Sequence, residues 1–192
     1  MKIGNNNLDL SKVNFKILEI EYSTCLSFCQ QWHYSKTCPP GYEYFGLYNN
    51  EKLIAVICYG TPAMRNQLKC YGVDVELRRL CCIDDTPKNT ESYFISHTLK
   101  IIKNKGYKKV LSLADPSFNH TGNIYKATNF KYMGEERGGG SRDIFIDGIK
   151  YHSRSAFAKF GASGIKKLKK LFPNKKIEVK DKPRKFIYVY EF

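Results

Sequence analysis

Apolar residues in this chain switch between two-residue and three-to-four-residue spacing in a fixed succession, and that succession limits the fold more than any other feature. Phe15 to Ile20 alternates like a strand, and Ser23-Thr24 offers N-cap oxygens to a helix through Leu26, Phe28 and Gln31. Tyr42 to Leu47 and Leu53 to Tyr59 are rich in aromatic and β-branched residues around Asn49-Asn50-Glu51-Lys52, which predicts a hairpin. Asp74 to Cys82 alternates again. Thr90-Glu91-Ser92 then opens a helix whose Phe94, Ile95, Thr98, Leu99 and Ile102 share one face, with Gly106 as its stop. Lys108 to Ala114 reads as a buried strand, Ile124 to Thr128 as a short helix, and Asn129 to Met133 as the next strand. The order β-α-β-β-β-α-β-α-β predicts an α/β or α+β fold, a central mixed sheet flanked by helices.

Gly138-Gly139-Gly140-Ser141 marks a boundary, because three consecutive glycines disfavour both helix and strand. The expected division is a core of residues 1–137 and a small basic α+β extension of residues 138–192. Residues 138–192 hold 14 Lys+Arg against 5 Asp+Glu, whereas residues 1–137 hold 18 against 13. Asp147-Gly148 predicts a two-residue hairpin. Ser153 to Phe160 and Ser163 to Phe172 predict two short helices, and Ile177 to Val179 with Phe186 to Tyr190 a closing pair of strands. In Ile165 to Phe172 the apolar residues recur every three positions while Lys166, Lys167, Lys169 and Lys170 fan over the remaining surface.

The chain of 192 residues carries a formal net charge of +14, which costs self-repulsion unless a polyanion binds. Double-stranded DNA is the expected partner. Arg154, Lys159, the four lysines of the basic helix, Arg184 and Lys185 are the expected phosphate contacts. Met1 to Asn14 lacks an apolar run of signal-peptide length and no stretch of about 18 apolar residues occurs, so a cytoplasmic protein with no membrane partner is expected. Seven cysteines with no C-x-x-C pair suit a reducing compartment and argue against a zinc knuckle. Cys25 and Cys29, four apart on one helix face, are expected to pack in the core.

Further residues carry a resemblance. They are His33-Tyr34-Ser35-Lys36, Phe45-Gly46, Tyr59-Gly60-Thr61-Pro62, Glu76-Leu77-Arg78-Arg79-Leu80 and Pro87-Lys88-Asn89-Thr90-Glu91-Ser92. Ala114-Asp115-Pro116, His120-x-Gly122-x-Ile124-Tyr125-x-Ala127 and Asn129-Phe130 complete the set. Within the GNAT acyltransferase superfamily, whose strand order the chain shares, it resembles the Mom family of phage DNA-modification proteins over roughly residues 30–192. The resemblance implies a GNAT-like sheet. It also implies conversion of adenine in DNA to a carbamoylmethyl-adenine, which shields phage genomes from restriction.

Adenine's exocyclic amine is a poor nucleophile because its lone pair is delocalised into the ring, so a catalyst must take a proton from it. His33 is the expected base, and Tyr34 with Trp32 can stack on an extruded base; the alternative is that His33 and Tyr34 finish the helix and pack beneath the hairpin. Asp115 would orient the base or hold a metal, or simply form a turn before Pro116. Tyr125 would protonate the leaving group, as the helix tyrosine of related acyltransferases does, or serve only aromatic packing, and Ser112 would hydrogen-bond the donor or merely alternate with Leu111 and Leu113. His120 is a ligand or a cap.

Arg78 and Arg79, adjacent on a strand, are expected on opposite faces. With Asn89 and Thr90 at a helix start they are the candidates for donor phosphates. Related acyltransferases place a glycine-bearing loop there for the coenzyme A pyrophosphate; Cys82-Ile83-Asp84-Asp85-Thr86-Pro87 has no glycine and carries two acids. The donor is accordingly acetyl-CoA or glycyl-tRNA, the latter making tRNA a second partner. The resemblance also offers ferrous iron, with Tyr34, Asp115 and Tyr125 as hard ligands. A homodimer is compatible with the sequence. Two other readings are an N-acetyltransferase for a protein or small amine and a non-catalytic DNA-binding protein.

Overall fold

The computed structural model describes residues 14–62, 69–136 and 142–192; the glycine boundary at 138–141 lies outside the described residues. The chain forms two compact units, one of residues 1–113, 122–133 and 187–192, the other of residues 114–121 and 134–186. The division thus runs differently from a single cut at residue 137. The last strand belongs with the first unit, and the loop after the fifth strand with the second.

In the first unit the elements are β1 (Phe15–Glu19), α1 (Tyr22–Trp32), β2 (Glu43–Asn49), β3 (Lys52–Gly60), β4 (Val75–Cys82), α2 (Thr90–Asn104), β5 (Lys109–Ala114), α3 (Asn123–Ala127), β6 (Lys131–Glu135) and, at the chain end, β10 (Phe186–Glu191). The sheet runs β1-β2-β3-β4-β5-β10-β6. Neighbours from β1 to β4 pair antiparallel, and β4 pairs with β5 in parallel. The expected order of nine elements is therefore present. The central strand β3 is buried from Ile54 to Gly60, the pattern of a strand covered on both faces. Cys58 and Tyr59 project to opposite sides: Cys58 lies by the thiols of the α1 face, while the Tyr59 hydroxyl meets Thr98 of α2 at 2.7 Å.

Helix α1 begins earlier than the Ser23-Thr24 cap predicts: Glu21 is the N-cap residue and makes no side-chain cap bond. Burial of Cys25, Phe28 and Cys29 fixes this helix, so packing outweighs capping. Helix α2 buries the predicted Phe94, Ile95, Thr98, Leu99 and Ile102 and stops at Gly106, whose φ is +92°.

The second unit contains β7 (Arg142–Ile146), β8 (Ile149–His152), α4 (Ser153–Phe160), α5 (Ile165–Leu171) and β9 (Ile177–Asp181), its sheet ordered β8-β7-β9. Asp147 and Gly148 both have positive φ, 50° and 80°, as a two-residue hairpin turn requires. Ile144, Ile146, Ala156, Ala162, Leu168 and Ile177 form its core. The two strands expected to close the chain as a pair do not pair with each other. β9 pairs with β7, and β10 enters the large sheet between β5 and β6.

Candidate active site

The parallel strands β4 and β5 are in register only at Val75/Val110, Glu76/Leu111 and Leu77/Ser112. Beyond Leu77, β4 continues for five residues without a partner on β5, so the strands part at their carboxyl ends. In α/β sheets that is where ligands enter. A register shift accompanies the parting: Cys58 faces Arg79 and Tyr59 faces Leu77, leaving Arg78 with no opposite residue. The bulge re-aims the arginines, so instead of one exposed and one interior side chain both are half-buried. Arg78 Nη1 donates to the Pro40 carbonyl at 2.8 Å, while Arg79 Nε is buried without a hydrogen-bond partner.

Tyr125 of α3 is buried in an aromatic stack, 5.3 Å from Tyr188 and 5.5 Å from Phe130 between ring centroids. Burial pushes its phenol up to about 12, Ser112 draws it partly back, and Glu76, Tyr34 and Tyr188 add to the rise. These influences bring Ser112, Glu76, Tyr34 and Tyr125 into one neighbourhood. Ser112 is fully buried and its Oγ completes no hydrogen bond of normal geometry. Glu76, 6% exposed, is the carboxylate that residue-by-residue reading missed as a catalytic candidate. Its only signal was a lone acid in a strand whose other charged members, Arg78 and Arg79, are basic.

Gly122 holds α3 in place. It is the N-cap with φ +79°, and a Cβ there would lie 2.3 Å from the Tyr188 ring, itself packed on Tyr125 and Tyr132. Gly122→Ala is expected to destabilise the fold by roughly 2–4 kcal/mol through combined strain and overpacking, measured as a lowered urea midpoint.

His33 ends α1 and is 8% exposed. Its Nδ1 receives the Ser35 backbone N–H at 3.1 Å and lies 2.8 Å from Ser35 Oγ. A backbone N–H only donates, so Nδ1 must accept in the neutral ring. In that tautomer Nε2 carries the hydrogen. Tyr34 lies against the ring at 4.1 Å, and Trp32, Tyr34 and Tyr42 are 47%, 48% and 63% exposed. This loop therefore displays aromatic faces, the surface that stacking on a base uses.

Asp115 caps the 3-10 turn Pro116–Phe118, its Oδ1 accepting from the Ser117 N–H at 3.0 Å. It thus acts as a turn former, and His120 in the same segment is exposed. Among the described residues the one group of three or more cysteine, histidine or acidic side chains close enough to share an ion does not include Asp115, so the expected iron ligand set finds no support. Thr90 is fully buried and donates to the Pro87 carbonyl at 2.7 Å, which engages it in the start of α2 rather than with a phosphate. Asn89 is exposed in a left-handed conformation with φ 68°.

In the second unit Lys166, Lys167, Lys169 and Lys170 are exposed on α5, which is anchored by buried Leu168. Lys159 is exposed and lies over the Tyr151 and Phe160 rings at 5.4 and 5.5 Å. Arg184 is exposed and Lys185 half-buried, and Arg154 lies in α4. Among the described residues no helix is long and apolar enough to cross a membrane.

The sheet, its parted parallel strands and the tyrosine-bearing helix define a GNAT-type acyltransferase fold. A GNAT family acetyltransferase of Elizabethkingia anophelis solved with acetyl-CoA superposes with a TM-score of 0.52 at 12% identity, covering 93% of this chain and 99% of that one. A Bacillus subtilis acetyltransferase solved with CoA gives 0.51 at 11% identity, covering 94% and 99%. Within that class the chain belongs to the Mom protein family, which it matches over residues 14–192. It is 28% identical over 164 residues to the methylcarbamoylase Mom of Escherichia phage Mu, covering 78% of this chain and 67% of that protein.

Proposed function

We propose that this protein modifies the exocyclic amine of adenine in double-stranded DNA by acyl transfer, leading to a carbamoylmethyl-adenine that restriction enzymes do not cut. The observation that carries the reading is the buried neutral phenol of Tyr125 beside Ser112 and Glu76 where β4 and β5 part. Glu76 takes the proton that the amine loses as it attacks the acyl carbonyl. Tyr125 protonates the departing thiolate or alkoxide. His33, with a donor at Nε2, suits a ring-nitrogen acceptor of the base, while Tyr34 and Trp32 supply stacking faces. Family membership supports the DNA substrate, and the exposed lysines of α5 support a polyanion.

The fold supports an acyl-CoA donor, since the relatives above hold CoA or acetyl-CoA. The glycine-free, doubly acidic Cys82–Pro87 segment favours a second reading, an aminoacyl ester such as glycyl-tRNA. A glycyl group already contains both carbons and the nitrogen of a carbamoylmethyl group. After transfer to the amine, its own amine attacks the adenine carbon bearing that nitrogen. A five-membered ring forms, the original carbon–nitrogen bond breaks, and the carbamoylmethyl isomer results with no redox step.

The test is to incubate duplex DNA and protein with each donor, digest to nucleosides and weigh them. A mass-shifted deoxyadenosine is expected. Glu76→Gln should cut its formation by roughly 10²–10⁴, the ordinary contribution of a general base. Acylated protein or small amine without altered nucleoside would point to an ordinary acetyltransferase. DNA binding with no product under either donor would point to a non-catalytic protein.

A further inference from the structure

Cysteines far apart in sequence meet under α1. The Sγ atoms of Cys25, Cys29 and Cys38 all lie within 4.8 Å of one another, the Cys25–Cys38 pair at 3.5 Å, and all three residues are buried. Cys58 of β3 adjoins Cys38 and is also fully buried. Two thiols come from consecutive turns of a helix, one from the loop after it and one from the central strand. Among the described residues this is the one group of three or more cysteine, histidine or acidic side chains close enough to share an ion.

We propose that Cys25, Cys29, Cys38 and Cys58 form a structural zinc site that ties the loop bearing His33 and Tyr34 to the sheet. Four thiolates at about 2.3 Å from a tetrahedral zinc stand about 3.8 Å from one another, and the Cys25, Cys29 and Cys38 sulfurs, all within 4.8 Å of one another, already lie close to that spacing. Packing of thiols as small hydrophobes does not account for such convergence, because apolar packing has no need to bring sulfurs from three elements to one point. Soft ligands on a fully buried, closed site select zinc over magnesium or calcium.

A second observation points the same way. Arg79 stands opposite Cys58 in the sheet, its charge acts on Cys38, and its buried Nε has no hydrogen-bond partner. A guanidinium whose buried Nε finds no acceptor is poorly placed, since a buried donor left unpaired is costly. Beside zinc tetrathiolate, whose net charge is −2, it faces the anion it lacks. Binding releases the thiol protons to solvent and changes no oxidation state.

The loop's path explains how Cys38 reaches the strand. Gly41 lies so near β3 that a Cβ would stand 2.4 Å from the Tyr59 carbonyl oxygen and 2.7 Å from Cys58 Sγ. His33 and Tyr34 lie between Cys29 and Cys38 in sequence, so metal at this site would shorten the free span of chain that positions them.

The experiment is metal analysis of the full chain purified without chelators, followed by exchange with Co²⁺. One equivalent of zinc and, after exchange, the intense visible absorption of a tetrahedral cobalt thiolate are expected. Cys38→Ser should lose the metal, while Cys70→Ser, at an exposed cysteine, should keep it. Wild-type protein that takes up neither zinc nor cobalt would overturn the proposal, as would a Cys25–Cys38 disulfide or a Cys38→Ser variant that binds zinc undiminished. None of these readouts depends on which substrate the protein modifies. The cobalt spectrum of the wild type stands even if a variant fails to fold.

Discussion

Tyr125→Phe is expected to lower turnover by roughly 10²–10⁴ while leaving the protein folded. Phenylalanine keeps the ring that packs on Tyr188 and Phe130 and removes only the hydroxyl, so the loss isolates proton donation. Since burial pushes this phenol up to about 12, it remains protonated across the neutral range, and its ionisation should leave the rate untouched until strongly alkaline pH. The same shift has a consequence for stability. The unfolded phenol ionises near 10 and the folded one near 12, so the contribution is whole below pH 10 and is lost as pH rises through 12, amounting to roughly 3 kcal/mol. Alkaline unfolding of Tyr125→Phe should therefore lag that of the wild type. A variant of unimpaired turnover would remove Tyr125 from the chemistry.

Replacing Lys166, Lys167, Lys169 and Lys170 together by Ala is expected to weaken duplex DNA binding and flatten its salt dependence. If all four touch phosphates, the slope of log K against log salt becomes shallower by roughly 3–4, at about 0.9 per contact. The helix itself should survive. Leu168 still anchors it, alanine favours helix, and the lysines at three- and four-residue spacing repel one another. None of the four pairs with an acid among the described residues, so no ion pair is lost. Titration of a labelled duplex at several salt concentrations reads both quantities. Affinity and slope equal to the wild type would show that α5 takes no part in binding.

Much of this architecture is written locally. The face of α2, the stop at Gly106 and the Asp147-Gly148 turn follow from spacing and from backbone freedom that a few residues possess. What escaped was non-local. Nothing in FIYVY says that it will pass its near neighbour β9 and enter another sheet between β5 and β6. The bulge at Arg78 is a register effect between two strands and has no signature in either.

At the candidate site the family motifs led to Tyr34 and Tyr125, and the strand before Asp115 to Ser112; the Tyr125 phenol feels both of the others. Glu76 looked like an ordinary polar member of a strand, because its significance lies in what burial places beside it. His33 was legible as a residue but not as a tautomer, which depends on one backbone N–H. No C-x-x-C pair marks Cys38, and it meets Cys25 and Cys58 only through the fold.

The route of β10 bears on how the molecule is made. A ribosome releases the chain from its amino end at about 5–20 residues per second, so residues 134–186 emerge before residues 187–192, which complete the larger sheet. Until then β5 and β6 lack the strand that joins them, and the aromatic bed of Tyr125 lacks Tyr188. The smaller unit can acquire its own core while the larger is still incomplete. A message cut short anywhere in that stretch yields a product whose nascent main sheet can never close, however many of its other residues are intact.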